Sequence, residues 1–246
     1  MRFTSLLLVC CFFLSSFLVE AQNDNHHVII KNKYALLKTQ ELLELKNIFQ
    51  EQAVIYGFPK KNLAKGIDEI TAYFEALLKA EGKQDITSTK VISFKGILIV
   101  KEQIQTKNGQ TERIVFYKFK KNKIKSMTIL HQSEATPERN VTGIVDEQLT
   151  AYNRRDIAAF VRTYATNVEV FTFPNRSQAS GHAGLRQDYT SLFENTTNLH
   201  CQIENRIVLG NVVIDKESVT ANSNTFGAVA IYQIEDDLIS KVTFIQ

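Results

Sequence analysis

The sequence predicts an α+β protein of two cone-shaped domains, each a curved antiparallel sheet wrapped around about three helices. Two observations carry that prediction. The chain repeats itself at a shift of 115 residues: Phe58-Pro59 pairs with Phe173-Pro174, Ala64 and Gly66 with Ala179 and Gly181, and Lys101-Glu102 with Lys216-Glu217. Farther on, Tyr117, Ile124 and Thr128 pair with Tyr232, Ile239 and Thr243, still without a gap. A period this long makes each copy a complete domain rather than a solenoid unit. Within a copy the apolar pattern then runs in one direction, from helical spacing through a single strand to a run of strands, which is the order of an α+β fold.

The elements are clearest in the second copy. Ile144, Val145, Gln148, Leu149 and Tyr152 fall on one face of a short helix. "NRRD" turns the chain, and Asp156 is placed to cap a second helix carrying Ile157, Phe160, Val161 and Tyr164. "VEVFTFP" alternates as a strand closed by Pro174, and after Gly181 a third helix carries Leu185, Tyr189, Leu192 and Phe193. Strand patterns follow at Leu199–Leu209, Val212–Thr220, Phe226–Ile234 and Leu238–Ile245. A sheet wrapped around helices buries apolar residues at its closed end and leaves a pocket near its mouth.

The chain of 246 residues, 44% hydrophobic and 22% charged, has room for two such domains. Residues 1–21 read as a cleaved signal peptide: Arg2 precedes an apolar run from Leu6 to Val19, and cleavage is expected after Ala21. That run is shorter than the roughly 20 residues of a spanning helix, so no stable membrane anchor is expected and the mature chain is exported, to a periplasm or the medium. Cys10 and Cys11 leave with the leader, and Cys201 alone remains, which excludes an internal disulfide. Its alternation with Leu199 and Ile203 makes Cys201 a small core residue. The first domain spans 22–130, the polar stretch 131–143 is a linker, and the second domain spans 144–246.

The run "QLTAYNRRDIAAFVRTYATNVEVFTFP", followed by "RIVLGNVVIDKE" and "VAIYQIEDDLISKVTF", resembles the SnoaL-like branch of the nuclear transport factor 2-like superfamily. The resemblance covers essentially the whole second copy; the first keeps the Phe-Pro, Ala-x-Gly and Lys-Glu features but lacks the A-Y-N-x-x-D opening. It implies a cone-shaped α+β fold with sheet-to-sheet pairing, in a family ranging from isomerases and cyclases to binders without catalysis. Ketosteroid-isomerase relatives use a general-base Asp beside the Phe-Pro strand end. That neighbourhood reads Phe171-Thr172-Phe173 in one copy and Tyr56-Gly57-Phe58 in the other. The relatives' Tyr and Asp donors align near Gln148 and Ala230. All three roles are vacant, which argues against isomerase chemistry by that route.

Other residues suit a site. In "ILIVKEQI" the alternation puts Glu102 in a row with Leu98, Val100 and Ile104, and Glu217 holds the same place in the second copy. An acid in an apolar row needs a partner or a raised pKa, which makes both pocket candidates. Phe173, Tyr152, Tyr189 and Tyr232 join them as pocket residues. Asp188, His200 and Glu217 are the titratable trio for catalysis in the second copy, although the parity of His200 with Gln202, Glu204 and Arg206 points it outward. His26-His27, in the mature amino-terminal tail, has no third ligand at metal spacing, and neither a metal nor a cofactor is expected.

Charge divides the copies. Gln22–Leu130 carries 19 Lys and Arg against 11 Asp and Glu, and residues from His131 onward carry 9 against 14. An exported chain with an acidic half is a poor nucleic-acid binder. The contrast suggests an intramolecular pseudo-dimer in which the two copies dock sheet to sheet. Three functions stay open: a cone holding a small apolar or amphipathic molecule, an enzyme of the isomerase, dehydratase or cyclase kind, and a scaffold whose cones are filled by side chains.

Overall fold

The computed structural model describes residues 25–132 and 140–245; residues 1–21, read as a leader, and most of the stretch read as a linker lie outside them. The first unit opens with a helix over residues 25–39 (α1), a short turn of helix and α2 (Leu45–Ile48). Then come β1 (Phe49–Gly57), β2 (Lys61–Lys65), α3 (Ile67–Glu81), β3 (Asp85–Phe94), β4 (Ile97–Thr106), β5 (Gly109–Lys120) and β6 (Lys123–His131). The second unit repeats the plan with α4 (Val141–Arg154), α5 (Ile157–Arg162), β7 (Tyr164–Thr172), β8 (Arg176–Ser180) and α6 (Gly181–Asn195). It finishes with β9 (His200–Leu209), β10 (Val212–Ala221), β11 (Asn224–Glu235) and β12 (Leu238–Ile245). Strand after strand, the second unit begins 115 residues beyond the first.

Local chemistry accounts for the boundaries. The Asn140 side chain accepts the Gly143 amide at 2.9 Å and starts α4 inside the stretch read as linker. Asp156 caps α5 as expected, accepting from Ala159 N at 2.9 Å. Tyr164, placed on that helix by its spacing, instead opens β7, because α5 ends at Arg162. Hairpin turns at Lys121-Asn122, Asn222-Ser223 and Asp236-Asp237 hold positive φ at both central residues, the geometry that matches strand twist.

Each sheet has six strands, ordered β2-β1-β6-β5-β4-β3 and β8-β7-β12-β11-β10-β9. The antiparallel sheets expected from the sequence are therefore mixed: β1 runs parallel to β6, and β7 to β12. The β1–β2 hairpin leads into a helix that crosses to the far edge, and the meander returns its last strand alongside the first. The short edge strands β2 and β8, after each Phe-Pro, went unpredicted because they carry little apolar alternation.

One face of each sheet packs on its own helices; the other packs on the opposite sheet. Ile92, Phe94, Ile97, Ile99, Ile114, Phe116 and Leu130 meet Ile207, Leu209, Val212, Ile214, Val229, Ile231 and Ile245 in one buried cluster. Phe94 lies so close over Gly227 that a Cβ there would come within 2.9 Å of its ring. The two Phe-Pro corners also face each other, with Phe58 and Phe173 rings 6.5 Å apart and both on Phe116. Phe173 thus sits at the seam, where it lines a cleft with Tyr56, Pro59 and Lys118. Polar contacts across the seam run from Lys90 Nζ to the Arg206 carbonyl and from Asn205 Nδ2 to the Val91 carbonyl, each at 3.1 Å. Neither is an ion pair, so apolar burial rather than opposite charge dominates this contact.

Candidate functional site

The inner face of β10 presents Val213, Asp215, Glu217 and Val219, all buried. Its counterpart β4 presents Leu98, Val100, Glu102 and Ile104. Glu102 and Glu217 therefore stand at equivalent places, as the repeat predicted, but their surroundings differ.

In the first cone, Glu102 is fully buried inside a complete set of partners. Lys33 of α1 donates to Oε1 at 3.0 Å, Tyr34 to the same oxygen at 2.9 Å, and Arg113 of β5 to Oε2 at 2.8 Å; Tyr117 also donates to Oε1. The Lys33 ammonium sits 4.8 Å from the Tyr117 ring centroid and 4.9 Å from that of Tyr34. Burial pushes the Glu102 pKa up, but Lys33 and Arg113 outweigh it and hold the carboxyl at about 2. The raised value expected from its apolar row is therefore reversed. Burial drags Lys33 down to about 8 against the pull of Glu102. The interior of this cone is occupied by its own ion pairs.

The second cone has lost both cations. At the shift of 115, Lys33 becomes Gln148, Arg113 becomes Ala228 and Tyr34 becomes Leu149, while Tyr117 persists as Tyr232. Tyr232 donates to Glu217 Oε1 at 3.0 Å. Burial pushes Glu217 up to about 7, opposed by the Tyr232 hydrogen bond and reinforced by Asp215. The charged anchor has moved along the strand. Asp215 accepts from Arg206 Nε and Nη2 at 2.6 and 2.7 Å, and Arg206 Nη1 donates to Asp146 of α4 at 2.7 Å. Valines stand at the Asp215 and Arg206 positions in the first unit, Val100 and Val91. The helix is pinned in both units, by Lys33 in one and by Arg206 in the other, and the second arrangement leaves Glu217 without a cation.

A cavity of about 330 Å³ opens in front of Glu217. Leu149, Val170, Leu192, Val219 and Phe244 form apolar wall, and Phe226, 53% exposed, stands at the mouth. Of the residues singled out from sequence, Glu217, Tyr152, Tyr189 and Tyr232 meet in this cavity, with Asp188 exposed at its rim. His200 is exposed on β9, pointing away from Cys201, as its parity indicated, and does not line the cavity. The acid–His pairing of the catalytic trio is therefore not assembled. Asp85, the counterpart of His200, pairs with Lys38 at 2.9 Å on the surface. His26, read as part of a loose tail, is a buried residue of α1 whose ring stacks on Phe119 at 3.9 Å.

The site roles of Lys33, Arg113, Gln148, Ala228 and Arg206 were missed. Pairing the copies position by position would have found the first four, since the cation-to-neutral changes fall at a fixed shift. The role of Arg206 required the cross-strand register that sets it opposite Asp215.

Residues 145–242 match the model of the SnoaL-like domain. No curated protein gives a significant match. Among solved structures, a cystatin-fold protein from Novosphingobium aromaticivorans is 24% identical over 44% of this chain and 99% of its own, with a TM-score of 0.41. An NTF2-like protein from Cytophaga hutchinsonii is 16% identical over 46% of this chain and 92% of its own, with a TM-score of 0.37. A protein named as a SnoaL-like polyketide cyclase, from Jannaschia sp. CCS1, is 15% identical over 46% and 90%, with a TM-score of 0.39. That match to the SnoaL-like domain lies within the second unit, and the first unit repeats its topology strand for strand.

Proposed function

We propose that this protein is an exported small-molecule binder in which the second cone holds the ligand and the first is a filled scaffold. The observation that carries this reading is the contrast at one repeated position: Glu102 is sealed by Lys33 and Arg113, whereas Glu217 faces a cavity of about 330 Å³ with Tyr232 as its hydrogen-bond donor. A largely apolar pocket with a few convergent polar groups is the usual form of a small-ligand site. The volume is about twice that of a cavity that admits benzene, so the ligand is of one or two rings or an equivalent chain. Export rests on the leader at 1–21; among the described residues no helix is long and apolar enough to cross a membrane.

The test transplants the first cone into the second. Gln148→Lys with Ala228→Arg supplies Glu217 with the cations Glu102 already has. Purified wild-type protein should retain a small molecule in native mass spectrometry, and the folded double variant should not. Equal retention by both would overturn the assignment to this cone.

A proton-transfer reading is favoured by one feature, the Glu217 carboxyl held near 7 beside a phenol, where a general base works best. In that reading Glu217 acts without Asp188 or His200. Glu217→Gln should then abolish deuterium exchange into a retained carbonyl ligand, and exchange that persists would remove the base.

A further inference from the structure

The first cone contains a natural template for what the second accepts. The Lys33 side chain is a butylammonium tethered to α1, inserted beside a carboxylate and over the face of the strand tyrosine, Tyr117. In the second cone the carboxylate and the tyrosine persist, as Glu217 and Tyr232, but the tethered ammonium is gone. At the same shift Leu37 becomes Tyr152, Phe74 becomes Tyr189 and Tyr73 becomes Asp188, while the Tyr34 phenol is lost to Leu149. Among the described residues, the resulting lining holds two carboxylates and three phenol rings, and no Lys, Arg or His. Buried carboxylates demand a counter-charge, and aromatic faces attract cations.

We propose that the second cone binds an organic ammonium, its cationic nitrogen taking at Glu217 and Tyr232 the place that Lys33 takes at Glu102 and Tyr117. This rests on the binding reading above and adds the class of ligand. The apolar part of the molecule lies along Leu149, Leu192 and Phe244 toward the mouth at Phe226. An anionic ligand meets two acids there with no cation to offset them, and a neutral one leaves the Glu217 carboxylate without its charge partner.

The groups facing Glu217 are Tyr232 of β11, Cys201 of β9, Tyr152 of α4, Tyr164 of β7, and Tyr189 and Asp188 of α6. Asp215 and Arg206 lie farther along the same inner face and oppose each other in their effect on it. Burial pushes the four phenols and the thiol upward, so none of them titrates near neutrality. The ammonium is bound by ionised Glu217. Its affinity falls as pH drops below about 7, toward tenfold per unit.

The test titrates the full-length protein with 4-phenylbutylamine, 4-phenylbutanol and 4-phenylbutyrate by calorimetry at pH 8 and pH 5.5. The amine, whose stem matches that of lysine, should bind at least tenfold more tightly than either isostere at pH 8, and should lose most of that advantage at pH 5.5. Glu217→Gln should remove the preference. An alcohol or carboxylate that binds as tightly as the amine overturns the ammonium assignment but leaves the cone a binder. An amine preference that survives in Glu217→Gln overturns it as well. If no probe binds, the ammonium assignment falls, and retention of a native ligand in mass spectrometry separately decides whether the cone binds at all.

Discussion

Glu102 and Glu217 show how far one residue type can diverge within a single chain. Both are buried at the same place on equivalent strands, β4 and β10. Two cations hold the first at about 2, and burial holds the second near 7. The same substitution should therefore have opposite effects. Glu217 has a folded pKa above its unfolded value, so its ionisation works against folding as pH rises from about 4.5 through 7. Glu217→Gln should leave stability unchanged at pH 4 and raise it at pH 8 by about 3 kcal/mol. Glu102 has a depressed folded pKa, so its contribution is present above about 4.5 and is lost as pH falls toward 2. Glu102→Gln leaves Lys33 and Arg113 buried without their anion and should cost about 3–5 kcal/mol at pH 7. Urea denaturation of both variants at the two pH values checks the signs. The inward direction of both acids was legible from alternation with apolar neighbours. Their opposite titration was not, because it depends on groups within a few ångströms that alternation does not reveal.

The A-Y-N-x-x-D opening of the second unit is a set of three separate devices on α4 and α5. Tyr152 lines the cavity, and Asp156 caps α5. Asn153 clamps the edge strand β9, accepting from Cys201 N at 2.7 Å and donating to its carbonyl at 2.9 Å. That double bond ties the helix to the backbone beside the cavity. Asn153→Ala should cost about 2 kcal/mol, since it leaves a backbone donor and acceptor without partners, and should speed amide exchange at the start of β9. Exchange unchanged at Cys201 would show that the clamp does not hold the edge. The first unit, which lacks this motif, joins the same two elements by the exposed Lys38–Asp85 pair and by a half-buried contact of the Tyr34 and Ser88 hydroxyls at 3.1 Å. The ion pair contributes little at the surface, so this edge strand relies on packing and on the Tyr34–Ser88 contact. Element order and most boundaries were readable from periodicity and caps. The short β2 and β8 were not, because an exposed five-residue edge strand carries almost no hydrophobic signal.

At the scale of the molecule, the two units share an apolar seam that neither could cover alone. Ile99, Ile114 and Phe116 on one side, and Ile214, Val229 and Ile231 on the other, are almost fully buried there. Either unit expressed alone would expose this face, a patch large enough to drive association. Isolated residues 25–132 and 140–245 should each self-associate in light scattering, and the two mixed should form a one-to-one complex. A half that stays monomeric and folded would show that docking is not obligatory. The sequence by itself determined the duplication, the element order and the inward parity of the two acids, because all three are carried by local spacing and a constant shift. Only the tertiary structure decided that the parallel pairs β1–β6 and β7–β12 close each sheet, that Phe173 belongs to the seam, and that one cone is filled while the other is open. The physical reason is distance along the chain. Lys33 reaches Glu102 across 69 residues and Arg206 reaches Asp146 across 60, and no local pattern states where a long cationic side chain will find its anion.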